Sequence, residues 1–288
     1  MHAIVTDSTW SLSPRLAEEF GITVVPLHVI APDREFLDTP AIERPEGRLT
    51  TSQPSHGELC EALEEVLDGG AESVLCFHLS SVLSGTASAM ETVAKELSAE
   101  RAVPIEVVDS RTAGGALGLS ALVAAQSLRD GVPVAKALAR ARECASRSRV
   151  LLTVDDPRHI QRGGRFSGPP LAIGAALGIR PILEVNHGEI GLREAARGAA
   201  KAKSQLVKGV LDGVPPGTIS IVVHHVADED SAREVADSLR EAAEAAGHTV
   251  DYTAVTPLSL VLAAHTGPGA LGAVVAPTFG LLKGLTEP

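Results

Sequence analysis

Hydrophobic and polar positions along this chain fall into blocks of two kinds. Short apolar runs closed by polar turns read as buried strands, and longer stretches with apolar residues at helical spacing read as helices. Ala3-Ile-Val5 is the first strand, running into Thr6-Asp-Ser-Thr9. Ser11 or Ser13 is placed to cap the next helix, with Pro14 favourable in its first turn. A second strand is expected over 23–30, then a polar, proline-bearing excursion over 31–50 with little periodicity. Ser55 followed three residues later by Glu58 is a capping box for a helix through about Leu67. The run from Val74 to Leu79 is a third strand, and from about Ser84 a helical pattern carries Ala89, Val93, Ala94 and Leu97. A fourth strand over 105–108 closes on Asp109-Ser110 and Gly114-Gly115, ahead of helices near 116–130 and 133–149.

Strands alternating with helices at this spacing predict a parallel sheet covered on both faces. Three of the four strands end in acids or hydroxyls, at Asp7-Ser8, Ser80-Ser81 and Asp109-Ser110. In a parallel sheet those ends lie side by side, so these groups are expected to converge on one crevice. The third strand end stands out, with hydroxyls at Ser80, Ser81, Ser84 and Thr86 around Gly85. A strand, a polar turn and a helix start offer free backbone N–H groups to a carboxylate or phosphate.

The pattern changes character near residue 150. Strands over 150–154, up to Val185, 218–224 and 248–254 mix with helices near 195–212 and 229–246, and Asn186-His-Gly188 reads as a hairpin turn. The segment 169–178 between them is apolar and rich in small residues. The fold class is therefore α/β: an N-terminal parallel-sheet α/β/α domain, residues 1–152, and a C-terminal α+β domain, residues 153–288.

Composition narrows the function. Aromatic residues are only 2% of the chain against 44% hydrophobic residues, which removes stacking platforms for bases. A net charge of −11 disfavours nucleic acid and anionic membrane surfaces as partners. Cys60, Cys76 and Cys144 are scattered and odd in number, as in reduced cytoplasmic proteins. The Met-His start passes straight into the first strand, so no signal peptide is expected, and no apolar run reaches the roughly 20 residues of a membrane span. Against the acidic whole, residues 140–208 carry 13 basic and 6 acidic side chains, a candidate docking surface for an anionic partner.

Several motifs fail. Gly267-Pro-Gly-Ala-Leu-Gly272 matches G-x-G-x-x-G, but only Glu287 is acidic in the 16 residues after it, which argues against a dinucleotide site. There is no phosphate-binding G-x-x-x-x-G-K-[ST] loop and no G-x-S-x-G nucleophile elbow. His224 and His225 are adjacent on a strand and point to opposite faces, so no metal site is expected. His265 is different, since it ends an apolar helical run before a glycine-rich stretch.

Seven motifs in order carry a resemblance: Ile4-Val-Thr-Asp-Ser8, Thr51-Ser-Gln-Pro-Ser55, Leu79-Ser-Ser-Val-Leu-Ser-Gly-Thr86, Val108-Asp-Ser110, Gly163-Gly-Arg-Phe-Ser167, Ile179-Arg-Pro-Ile-Leu183 and His265-Thr-Gly-Pro-Gly-Ala270. Together they resemble the DegV family over essentially the whole chain. The resemblance implies a two-domain protein that binds one long-chain fatty acid between its domains. It further implies a protein that presents the carboxylate to a separate fatty acid kinase, which makes the acyl phosphate, with no cofactor of its own. The carboxylate site it implies comprises Thr51, Ser52, Ser84, Gly85 and His265, while Arg162 and Arg165 would face the kinase. Two departures stand out: Arg162 where the family often has lysine, and Ala87 where it often has an aromatic. The competing reading is a stand-alone enzyme, sugar-ketone-kinase-like or a hydrolase, using His265 or Ser84.

Overall fold

The computed structural model describes residues 1–40, 47–168 and 178–285. Four strands, β1 (His2–Asp7), β2 (Ile22–Val25), β6 (Ser73–His78) and β7 (Ile105–Asp109), form a parallel sheet in the order β2-β1-β6-β7. Period-two alternation sends Val5, Val74 and Cys76 to one face, where they pack on α2 (His56–Asp68) and α3 (Thr86–Arg101) through Leu59, Leu63, Met90 and Val93. Ile4, Leu75 and Phe77 face the other way, onto α1 (Pro14–Phe20) and α4 (Gly115–Arg129). The N-terminal domain is thus a parallel sheet between helices.

The strand expected over 23–30 is two strands in two sheets. Pro26 has no N–H to give a ladder, and the chain leaves the parallel sheet there. β3 (His28–Ile30) instead centres a small antiparallel sheet, flanked by β4 (Glu35–Leu37) and β5 (Thr50–Ser52). Part of the excursion over 31–50 is therefore strand, and its residues 41–46 lie outside the described residues. Ser13 holds the N-cap position of α1 without a side-chain bond, whereas the Ser55–Glu58 capping box forms in full.

The second large sheet has six strands in the order β10-β9-β8-β13-β11-β12. They are β8 (Arg149–Thr153), β9 (Ile179–Asn186), β10 (Glu189–Arg197), β11 (Thr218–His225), β12 (Thr249–Pro257) and β13 (Leu271–Pro277). Only β11 and β12 run parallel. One face packs on α7 (Ala199–Leu211) and α8 (Glu229–Ala245) through Leu206, Val235 and Leu239. The other turns Val150, Val222 and Val274 into the same apolar cluster as α4, with Cys144 of α5 (Val134–Arg147). The α4–α5 layer is therefore shared by both sheets, and α4 is buried nearly all round. The expected domain boundary at 152/153 falls within β8, whose two neighbours both belong to the six-stranded sheet.

Three smaller features complete the frame. The β9–β10 hairpin turns at His187 and Gly188, both at positive φ as a two-residue turn requires. The glycine-rich run after α9 (Leu260–Thr266) leads into a strand and not a helix, and Glu287 and segment 169–177 lie outside the described residues. His224 and His225 diverge: His224 is buried, with its Nε2 accepting from the Gly115 N–H at 2.7 Å and its Nδ1 2.9 Å from Thr256 Oγ1. Burial lowers its pKa to about 4.

Candidate functional site

The strand ends of the parallel sheet do come together, but they close on each other. Asp7 is fully buried and accepts from the N–H groups of Thr9 and Leu79, from Thr9 Oγ1, and from His78 Nδ1 at 3.0 Å. Ser8 donates to Asp38, Ser81 to Asp109, and Ser80 to the Gly188 carbonyl of the β9–β10 turn. Of the four hydroxyls around Gly85, two are thus committed to holding the fold together.

The open cleft lies alongside, between the two domains. Its polar lining comprises Thr51, Ser52, Gln53, Ser84, Arg165, His265 and Thr266, beside Gly85, and its apolar lining comprises Leu27, Leu79, Leu83, Ile160, Ile190, Val261 and Leu262. Five elements contribute. Thr51 and Ser52 come from β5, held in register opposite Val29 and His28 of β3. Ser84 and Gly85 precede the first turn of α3, whose N–H groups lack intrahelical acceptors. Ser84 Oγ lies 2.9 Å from Thr86 Oγ1. Ile160 comes from the short α6 (Arg158–Arg162), and Ile190 from β10.

His265 sits in the last turn of α9, and two contacts fix that helix. Ser259 caps it by accepting from the Leu262 N–H, and buried Asp38 accepts from the Leu260 N–H at 2.8 Å while also holding Ser8. Burial raises the Asp38 carboxyl above its ordinary pKa, and these hydrogen bonds oppose the rise. The small antiparallel sheet then delivers Thr51 to the helix: Thr51 Oγ1 lies 2.9 Å from His265 Nε2, joining residues 214 positions apart. Burial, and next the charge of Arg165, bring the His265 pKa down to about 4, so the ring is neutral near pH 7. On its other side the ring packs on Gly163, where a Cβ would collide with Nδ1. Gly267 and Gly269, which follow His265, pack on His159 and Asp155.

The two arginines expected to share a docking role are separated. Arg162 is exposed, with Nε donating to the Arg158 carbonyl. Arg165 lines the cleft, donating from Nε to the Leu83 carbonyl at 3.1 Å and from Nη1 to the Gly163 carbonyl at 2.7 Å, which ties the two domains together. Sequence reasoning placed Arg165 outside because its charge marks it for a surface, and only the fold shows its fork spent on two carbonyls. The apolar wall residues carried no signal that separates them from core. Gln53, beside Thr51, had one: polar side chains upstream of a cap that did not need them.

The sequence profile described as "Uncharacterised protein, DegV family" matches residues 1–278. The chain belongs to the DegV family. A DegV domain-containing protein of Streptomyces coelicolor is 35% identical over 284 residues, covering 95% of this chain and 97% of its own length. One from Mycobacterium tuberculosis is 32% identical, with 94% and 96% covered. Among solved structures, a DegV family protein of Thermus thermophilus described by its fatty acid binding superposes with a TM-score of 0.84 at 29% identity, covering 96% and 99% of the two chains. A Thermotoga maritima protein described as revealing a fatty acid binding function gives 0.83 at 26%, covering 96% and 98%. The DegV architecture thus comprises the two-domain α/β frame described above. Among the described residues no helix is long and apolar enough to cross a membrane.

Proposed function

We propose that this DegV protein binds one long-chain fatty acid in the cleft between its domains, with the carboxylate at Thr51, Ser52, Ser84, Gly85 and His265. The observation that carries the reading is the Thr51–His265 pair in a cleft that gathers hydroxyl and amide side chains beside seven aliphatic ones. Fatty acid binding by the Thermus thermophilus and Thermotoga maritima relatives supports it. Burying a tail of about 15 methylenes at about 0.8 kcal/mol each supplies roughly 12 kcal/mol before ordering costs, so the head group needs orientation more than strength. Hydroxyls, the N–H groups opening α3 and a neutral imidazole orient a carboxylate in that way. The cavity encloses about 130 Å³, below the roughly 300–1,000 Å³ usual for ligand pockets, so a tail enters only as the walls part.

Presentation of the carboxylate to a separate fatty acid kinase is the second half of the proposal. Exposed Arg162, within a basic segment of an acidic chain, is the docking candidate. Stand-alone catalysis is less well supported, because a ring with a pKa of about 4 is a weak base for activating a hydroxyl at neutral pH. The protein would act in the cytoplasm, as a lipid-binding subunit without a cofactor.

Denaturing extraction followed by lipid mass spectrometry tests the first half, with one fatty acid per chain expected. Protein that extracts clean and takes up no fluorescent fatty acid would overturn it. For the second half, Arg162→Glu should keep full lipid occupancy and lose acyl phosphate formation when kinase and ATP are added. Arg165→Glu should lower both, since it sits in the cleft wall. Loss of lipid by Arg162→Glu would withdraw the docking role.

A further inference from the structure

A second cleft, unrelated to the proposed lipid site, opens on the other edge of the domain junction. It encloses about 640 Å³, within the range of small-molecule sites. Its floor is the carboxyl end of β7, the last strand of the parallel sheet, which is where open α/β sheets present ligand sites. The C-terminal end of α5, the start of β8 and the β9–β10 turn form its sides.

Its lining is cationic in a protein of net charge −11. Arg111, Arg142, Arg147 and Arg149 face Asp109 and Glu184 as the lining carboxylates, with His187 at the rim. Arg142 pairs with Glu106, Arg147 with Glu143 and Arg149 with Glu184, each using one terminal nitrogen and leaving other N–H donors unspent. Asp109 is engaged by its own chain, accepting from Ser81 and from the Arg111 N–H. The guanidinium charge of Arg147 also answers the negative end of α5.

Two further features lie at the cleft. Thr112 is buried in its wall, and its hydroxyl has no hydrogen-bond partner among the described residues; the same is true of Arg149 Nε. Both atoms are closed to solvent, so they lie behind the cleft surface and a ligand in the cleft does not reach them without a local shift. Arg111 and His187 both hold left-handed backbone, at φ 53 and 50, uncommon for side chains of their size. They meet across the cleft, Arg111 donating from Nε and Nη2 to the His187 carbonyl. That contact joins the two domains at the cleft, the backbone of His187 being set by the β9–β10 turn.

We propose that this cleft binds a phosphorylated small molecule, its phosphate held by the guanidinium groups of Arg142, Arg147 and Arg149. Guanidinium forks match phosphate oxygens two at a time, and a free carboxylate offers fewer of them. The proposal does not depend on what occupies the lipid cleft.

The test is isothermal titration of purified protein with inorganic pyrophosphate, and with citrate as a phosphate-free polyanion. Wild type should bind pyrophosphate saturably at a 1:1 ratio and more tightly than citrate. Arg142→Gln with Arg147→Gln removes two exposed guanidinium groups without touching the core, and should weaken pyrophosphate by about tenfold or more. No saturable binding up to about 10 mM, equal binding by the double variant, or tighter binding of citrate would each overturn the proposal. Circular dichroism and the urea denaturation midpoint, both unchanged in the variants, exclude misfolding as the cause of a loss.

Discussion

At the ends of β1 and β6, Asp7 takes four donors from its own chain and Ser8, Ser80 and Ser81 each hold a protein partner. In the neighbouring cleft, Thr51 and His265 hold one another, and Ser84 holds Thr86, across space bordered by aliphatic side chains. The two clusters use the same residue types at similar places in the fold. They differ in where those hydrogen bonds lie, the first joining strand ends and loops of the fold and the second lining a cavity. A polar strand end in an α/β sheet is thus as much a fastening as a binding site, and counting hydroxyls does not separate the two uses.

The contrast is sharpest under mutation of the fastening. Asp7→Asn leaves the Leu79 N–H, the Thr9 groups and His78 competing for one carbonyl oxygen in a fully buried place. Unfolding stability should drop by roughly 3–5 kcal/mol, since two or more buried donors each lose an acceptor at about 1–3 kcal/mol apiece. Urea denaturation followed by circular dichroism measures this, and a loss below 1 kcal/mol would show that the strand-end network carries little.

Acid should weaken the fold next. His224 and His265 have folded pKa values of about 4, below the ordinary value near 6.5, so the unfolded chain takes up protons that the folded chain refuses. Their contribution is complete above pH 6.5 and is lost as pH falls towards 4, about 3 kcal/mol for fully buried His224. Asp38, whose pKa burial raises, acts in the opposite direction and blunts the loss. Denaturation midpoints between pH 7 and 4.5 should fall in wild type and fall less in His224→Gln.

The smallest effect on the fold belongs to the cleft. Ser84→Ala and His265→Ala should change unfolding stability little, yet weaken retention of a fluorescent fatty acid by about 1–3 kcal/mol, the cost of an unanswered buried polar group. Retention equal to wild type in both would place the carboxylate elsewhere. Equal losses of stability in the Ser84 and Asp7 variants would erase the distinction between the two clusters.

Local pattern was enough for much of this molecule. The apolar runs at β1, β6 and β7, the Ser55–Glu58 box and the Asn186–Gly188 turn depend on neighbours within a few residues, so they could be read along the chain. The motif-based choice of Thr51, Ser52, Ser84, Gly85 and His265 likewise named residues that line one cleft. What the chain alone could not decide is which charges and hydroxyls remain unspent. Arg165 looks like any surface arginine until Leu83, 82 residues away in the other domain, is brought beside it to accept from Nε. Ser80 looks like a ligand group until the β9–β10 turn, 108 residues away, offers it the Gly188 carbonyl. Hydrogen bonds and ion pairs act over a few ångströms, so their partners are fixed by long-range packing, whereas strand and helix periodicity is fixed by backbone geometry that repeats within the segment itself.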